Sequence, residues 1–357
     1  MKLYRKIIFL LAASVGLFAA CDNDDEVNYE KVVVEEYTDE IDVYLKEHFL
    51  DKYNCAIRWR WDDKFVSVDY YVSPPLRDVV IPAAQMIEYF WVEPFVESSA
   101  GGKAFIENNF PPEIVLVGSD IMNENGTETL GFAEAGVRIT ITNTNEYDLT
   151  DKTWLMTQLH TIHHEFTHIV HQTYKLPEGF ETYSGSKYTG NSWTTISAEN
   201  AIIRGVTTPY GTTNEYEDFA ELVSNFIIMD KVTFDEKYAV KSEDEINEEV
   251  NELYDYIMTE KHQTVIDTRS QAETEARDAG KTKAEIKAAG DLAVRNLAIR
   301  SIVGARKTLE NLNLGKELIK QKLNITKDYY TNKFDVDLEK LRDIVQERIA
   351  NAQNKED

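Results

Sequence analysis

The sequence predicts an α+β protein, with an N-terminal lobe of mixed helices and strands, a long histidine-rich helix, and a helical C-terminal lobe. Three observations carry this reading. Between residues 40 and 145, stretches of helical spacing alternate with short β-branched or alternating runs bounded by Pro, Gly and Asn. Residues 155–174 then keep one helical pattern that holds His160, His163, His164, His168 and His171, five of the chain's 7 histidines. From Lys241 onward the chain is charged, alanine-rich and strongly helical.

Residues 1–20 stand apart from this lobe. A basic start (Lys2, Arg5, Lys6) precedes an apolar run from Ile7 to Phe18 and then Ala19-Ala20. That is the build of a secretory signal peptide, and the run is too short for a membrane-spanning helix. "FAAC" resembles a lipobox, which implies lipidation of Cys21. Residues 21–38 then read as a flexible acidic tether, and their "DNDDE" resembles the export signal of surface lipoproteins in Bacteroidota-type bacteria. With Cys21 lipidated, Cys55 has no partner for an intramolecular disulfide.

The net charge of −25 disfavours nucleic acid and peripheral attachment to anionic lipid, both of which call for a basic surface. No nucleic-acid partner is expected.

In the first lobe, residues 38–53 ("TDEIDVYLKEHFLDKY") offer a Thr38/Asp39 cap followed by apolar Ile41, Leu45 and Phe49 at helical spacing. "KFVSVDYYVS" (64–73) alternates as a half-buried strand does. Residues 76–96 read as helix, interrupted or restarted at Pro82. "PEIVLVGS" (112–119) and "GVRITITNTN" (136–145) read as strands. Residues 175–214 are Gly/Ser/Thr/Tyr-rich and read as loops, and Glu215–Met229 is helical again. Residues 268–305 read as a solvent-facing helical hairpin within the C-terminal region 241–357.

The chemistry sits in "HEFTH", residues 164–168. Residues four apart on a helix stack one turn above another, so His164 and His168 can converge on one ion. Glu165 then projects toward the open coordination position of a zinc ion, where a general base is needed. His160 is also four from His164, but Thr161 stands where a base would be required. A ligand at His171 would lie too far down the same helix to close a tetrahedron, and His163 points to another face. His160, His163 and His171 are therefore expected to be supporting, structural or pocket-lining residues. The position six after His168, where a metzincin would carry its third ligand, is Tyr174, which excludes that subclass.

A third ligand must come from another helix, and residues 208–226 ("TPYGTTNEYEDFAELVSNF") supply candidates. Glu217 and Glu221 are four apart. One carboxylate can bind the metal while the other accepts the far N–H of a ligand histidine, and spacing alone leaves the two nearly even.

"HEFTHIVHQ" followed by "PYGTTNEYEDFAELVSNF" resembles the zinc-binding metallopeptidase lipoproteins of Bacteroidota, which are associated with outer-membrane nutrient import. The E-x-F-A-E helix also resembles the zinc site of anthrax lethal factor and related gluzincins. The resemblance implies a zincin-like catalytic domain over residues 39–240 and one Zn²⁺ held by His164, His168 and Glu217. It further implies that Glu221 supports a ligand histidine, and that Tyr210, seven residues before the ligand glutamate, assists catalysis. It continues weakly to residues 324–345 and leaves most of 241–300 unmatched.

The activity expected is zinc-dependent peptide hydrolysis at the outer face of the outer membrane, with a nutrient-import complex as partner. The alternatives are an amidase acting on a glycoconjugate and a non-catalytic carbohydrate- or peptide-binding lipoprotein that stacks ligands on the aromatic loop 183–193.

Overall fold

A computed structural model describes residues 39–60, 62, 72–122, 128–129, 131–134, 138–259 and 262–354. The signal segment, Cys21, the tether and most of the expected strand 64–73 lie outside the described residues. Two compact units divide the chain, 1–43 and 44–357. Of the first, only residues 39–43 are described; they open helix α1 (Glu40–Leu45), with the Asp39 carboxylate accepting from Ile41 N at 3.0 Å.

In the second unit the helical path continues through a π-helical turn (Lys46–Leu50) into β1 (Ala56–Arg58). Next come α2 (Arg77–Ile87), a π-helical turn (Glu88–Val92), α3 (Glu93–Ser98) and α4 (Gly102–Asn109). Pro82 neither breaks nor restarts α2. It lies in the second turn, and the cost of the one missing N–H bond is offset by burial of Val80, Ala83, Ala84, Met86 and Ile87 around it.

The strands are short: β2 (Glu113–Leu116), β3 (Ile121–Met122), β4 (Glu128–Thr129), β5 (Gly131–Glu134) and β6 (Arg138–Ile141). Three of them join β1 in a sheet of order β1-β2-β6-β5. The first three are parallel, and β5 is an antiparallel edge paired Gly131 to Ile141 and Glu134 to Arg138. β3 and β4 pair separately.

Helix α5 (Lys152–Tyr174) carries the histidines. Its start lies three residues before the periodic pattern, because Asp151 caps it by accepting from Thr153 N (2.8 Å) and Trp154 N (3.1 Å). One face of α5 packs on β5 and β6. Phe166 enters an aromatic cluster, with ring centroids 5.1 Å from Trp91, 5.6 Å from Phe95 and 5.7 Å from Phe105. Burial of this kind is worth about 3–5 kcal/mol against truncation to alanine, and it fixes which way the histidines turn.

Residues 175–214 are more ordered than loops. They hold α6 (Phe180–Ser184), α7 (Ala198–Ile203) and three 3-10 turns, the last of them Tyr210–Thr212. α8 (Glu215–Ile228) follows and packs along α5. α9 (Lys231–Tyr238), α10 (Glu243–Met258), α11 (Gln263–Asp278), α12 (Lys283–Phe334) and α13 (Leu338–Gln353) complete the chain.

The helical hairpin is α11 and the first part of α12. It turns at Gly280 (φ +73°), with a Thr282/Glu285 capping box starting α12. Val294 and Ala298 pack there against Ile257 and Val265. α12 has 52 residues, and its second half returns to the histidine helix. Where it crosses α7 the residue is Gly315, at which a Cβ would sit 1.8 Å from the Ile202 carbonyl oxygen. Only glycine lets the two backbones come this close.

The family resemblance implied a zincin-like lobe. The observed architecture is a mostly helical α+β protein built around this small, mainly parallel sheet.

Candidate metal centre

Two helix starts set the site. Asn214 caps α8 by accepting from Tyr216 N at 2.9 Å and Glu217 N at 3.1 Å, so Glu217 stands in a rigid first turn. The N-terminal end of that helix favours a carboxylate there.

His164 Nε2 and His168 Nε2 lie 3.0 Å apart, and Glu217 Oε2 is 3.2 Å from each. Ligand atoms around a tetrahedral zinc at 2.0–2.1 Å should stand about 3.3 Å apart. The observed triangle has that size. Its two ring nitrogens face each other, and the outer edge of each ring is served separately. His168 Nδ1 lies 2.7 Å from His171 Nε2. Burial and the neighbouring His168 pull His171 down to about 4, so it is neutral and accepts the His168 Nδ1–H. His164 Nδ1 lies 2.8 Å from Glu221 Oε1, at an angle short of a straight hydrogen bond. Each ring thereby has an acceptor for an outward Nδ1 proton, so that its Nε2 can turn a lone pair toward the shared point when a metal takes the place of a proton there. The residues present fit zinc.

Electrostatics agree with the geometry. In the metal-free site burial pulls His164 down, but Glu217 and Glu221 outweigh it and push the imidazole up to about 10. Burial raises Glu217, and the two histidines more than offset it, holding the carboxylate at about 2. The centre is a cation site even when only a proton is available to fill it.

Glu221 is held on every side. His160 Nε2 lies 3.2 Å from its Oε1, Thr208 Oγ1 donates to Oε2 at 2.7 Å, and Asn225 Nδ2 approaches at 3.4 Å. Burial opposes its ionisation, and His160 and His164 overcome this and hold the carboxyl well below the usual range.

Thr208 Oγ1 also accepts from Gly211 N at 3.1 Å, which ties the Tyr210 turn to the same carboxylate. The Tyr210 ring is 5.9 Å from the His164 ring and meets Trp193 edge-on at 5.1 Å. Burial, then Glu217 and Glu165, push its phenol up, so it stays a donor at any working pH. Glu165 is nearly buried beside His164, and its charge is felt by both His164 and Tyr210.

The family described as "Putative zinc-binding metallo-peptidase" matches residues 34–339. This chain belongs to that zinc-binding metallopeptidase family. Its cofactor is zinc, and its class is hydrolase. The crystal structure of a protein of the same description from Bacteroides caccae ATCC 43185 is similar over 88% of this chain and 94% of that one. The TM-score is 0.58 at 22% identity, a likeness that speaks for the fold alone. No curated protein matches this chain.

The metallopeptidase brings together all five residues singled out from the two motifs: His164, Glu165, His168, Glu217 and Glu221, with Tyr210 alongside. His160 and His171, expected as supporting residues, stand next to the set: His171 faces His168 and His160 faces Glu221. Thr208 and Asn225, which the motifs did not reveal, also hold Glu221. His163 is different: it is buried near Phe95 with neither ring nitrogen partnered, and burial pulls it down to about 3.

Next to Glu217, Asp218 meets Lys322 of α12, both side chains 0% exposed. Tyr188 OH donates to Asp218 Oδ2 at 2.8 Å, and Lys322 Nζ to Ser184 Oγ at 3.0 Å. This buried cluster fastens α8 to α12 and to the segment before it.

Proposed function

We propose that this metallopeptidase hydrolyses peptide bonds at the cell surface, anchored in the outer membrane through lipid on Cys21 and working beside a nutrient-import complex. On this reading residues 39–240 form a zincin-like catalytic domain of gluzincin type, with His164, His168 and Glu217 as ligands. The observation that carries it is the triangle of His164 Nε2, His168 Nε2 and Glu217 Oε2, with the Tyr210 ring 5.9 Å from that of His164.

Zinc held there supplies Lewis acidity, polarising the scissile carbonyl and acidifying water. Glu165 takes the proton from the attacking water and later gives it to the leaving amine. The Tyr210 phenol donates to the developing oxyanion. Glu221, His171 and their partners hold the two imidazoles so that neither must reorganise during the reaction. The edge strand β5 packs on α5, and its outward backbone groups suit an extended peptide adding as a further strand.

A binding-only lipoprotein is less well supported. Tyr188 in the aromatic loop donates to Asp218, and Trp193 meets Tyr210 edge-on, so both are built into contacts that support the α8 helix and the Tyr210 turn. An amide in a glycoconjugate would use the same catalytic groups, and the peptide reading rests on the edge strand.

The test is digestion of a peptide library by zinc-loaded protein beside its Glu165→Gln variant. Cleavage by the wild type with zinc retained but cleavage lost in the variant is expected. Equal cleavage by both removes Glu165 from the mechanism, and none by either removes the peptidase reading. For the anchor, Cys21→Ser should release soluble protein from membranes, and continued partitioning would refute it.

A further inference from the structure

A second feature of α5 lies away from the metal. A cavity of about 410 Å³ opens where the C-terminal ends of β2 and β6 meet the start of α5. Asp120, Glu146, Asp148 and Asp151 line it, together with Trp154 and Gln158, and among the described residues no Lys, Arg or His does. Asp148 is engaged with Thr150, whose hydrogen bonds hold its carboxyl below the usual range, and Asp151 with the helix cap. Asp120 and Glu146 have no basic partner among the described residues.

Gln158 supplies the independent sign of a ligand. It is 2% exposed, it lines the cavity, and its Oε1 has no hydrogen-bond donor. A buried carbonyl oxygen without a donor is costly; an N–H donor would satisfy it, and the four carboxylates lining the cavity favour a cationic one.

The cavity bears on the reaction through helix geometry. Trp154, Gln158 and Glu165 fall on one stripe of α5, with Gln158 about 10 Å from Glu165 along the axis. An extended peptide advances about 3.3 Å per residue, so the cavity is about three residues from the bond that Glu165 serves. β5 begins at this end, because Gly131 pairs with Ile141, the last residue of β6 before the cavity wall at Thr142 and Asn143.

A bare divalent ion suits the cavity less well. Among the described residues, acidic and histidine groups converge within 4.8 Å only around His164. An ammonium or guanidinium on a long stem can reach carboxylates that stand further apart.

We infer that this cavity is a specificity subsite taking a Lys or Arg side chain of the substrate, about three residues from the cleaved bond. The inference rests on the peptidase reading for its distance, but binding tests it separately.

The experiment titrates acetylated alanine pentapeptide amides, each carrying one Lys or one Gln at a chosen position, into the zinc-loaded Glu165→Gln protein. Hydrolysis of the same peptides by the wild type is measured in parallel. Tighter binding of the best Lys peptide by about five- to tenfold is expected, shrinking in 0.5 M salt, as partly exposed charge pairs do. Adding Asp120→Asn and Glu146→Gln should remove the difference and leave the Gln peptide unchanged; neither residue caps a helix.

Equal binding of Lys and Gln peptides overturns the subsite even if hydrolysis proceeds. Lys-selective binding that the added substitutions abolish, without hydrolysis of any peptide, supports the subsite and overturns the peptidase reading. Calcium binding that those substitutions abolish, with no Lys preference, makes the cavity an ion site and overturns the inference.

Discussion

Glu217 and Glu221 grip opposite edges of one imidazole. Glu217 Oε2 stands 3.2 Å from His164 Nε2, and Glu221 Oε1 stands 2.8 Å from His164 Nδ1. One turn of α8 separates the proposed ligand from its proposed support, and the two should respond differently to truncation. Glu217→Ala is expected to be essentially metal-free and inactive under mild chelation. Glu221→Ala should keep zinc with affinity lowered by ~10–100-fold. Competition against a chelator ranks them, and the reverse order would make Glu221 the ligand.

Thr208 ties that support to the Tyr210 turn, donating to Glu221 Oε2 and accepting from Gly211 N. Thr208→Val should lower kcat about tenfold, the lower end of what outer partners of a metal site cost, with KM little changed. Thr208→Ser, which keeps the hydroxyl, should restore it. A Ser variant as impaired as Val would mean that the hydroxyl is not what matters.

Zinc affinity should depend on pH in a defined direction. His164 in the metal-free protein is raised to about 10, above its ordinary 6.5, so it is protonated at neutrality and zinc must displace that proton. Affinity is therefore expected to rise about tenfold per pH unit from about 7 to 9 and to flatten near 10. Glu217, held at about 2, adds no slope in that range. The same sign applies to stability: in the metal-free fold the contribution of protonated His164 is complete below 6.5 and is lost as pH rises through about 10. Chelator competition at pH 7 and 8, corrected for the chelator's own protonation, checks the slope; a flat profile contradicts it.

The buried pair Asp218–Lys322 predicts an asymmetry. Lys322→Met alone leaves a fully buried carboxylate without its cation and should destabilise by about 3–5 kcal/mol. Combining it with Asp218→Asn should recover a large part of that loss. Urea unfolding of the single and double variants reads this directly, and additive losses would mean that the two side chains are not coupled.

The part of the site that follows local periodicity was legible in the sequence. His164 and His168 share a face because a helix repeats every 3.6 residues, and Glu217 and Glu221 share one for the same reason. His171 could be placed on the histidine helix, but not its bond to His168, which depends on how the ring settles against Tyr216, 4.9 Å away on α8. His160 was four from His164, yet its role needed the position of Glu221. Lys322 lies 104 residues from Asp218 and sits in a helix whose other lysines are mostly exposed, so no local pattern marks it. The sheet was harder still: strands of four residues or fewer carry too little alternation to announce their order or direction.

Zinc content tests the centre most directly. Elemental analysis of purified protein should find one zinc per chain in the wild type and almost none in His164→Ala, since two remaining ligands seldom hold zinc. Circular dichroism should show the variant still folded. A folded His164→Ala protein carrying as much zinc as the wild type would contradict the assignment of the metal to His164, His168 and Glu217.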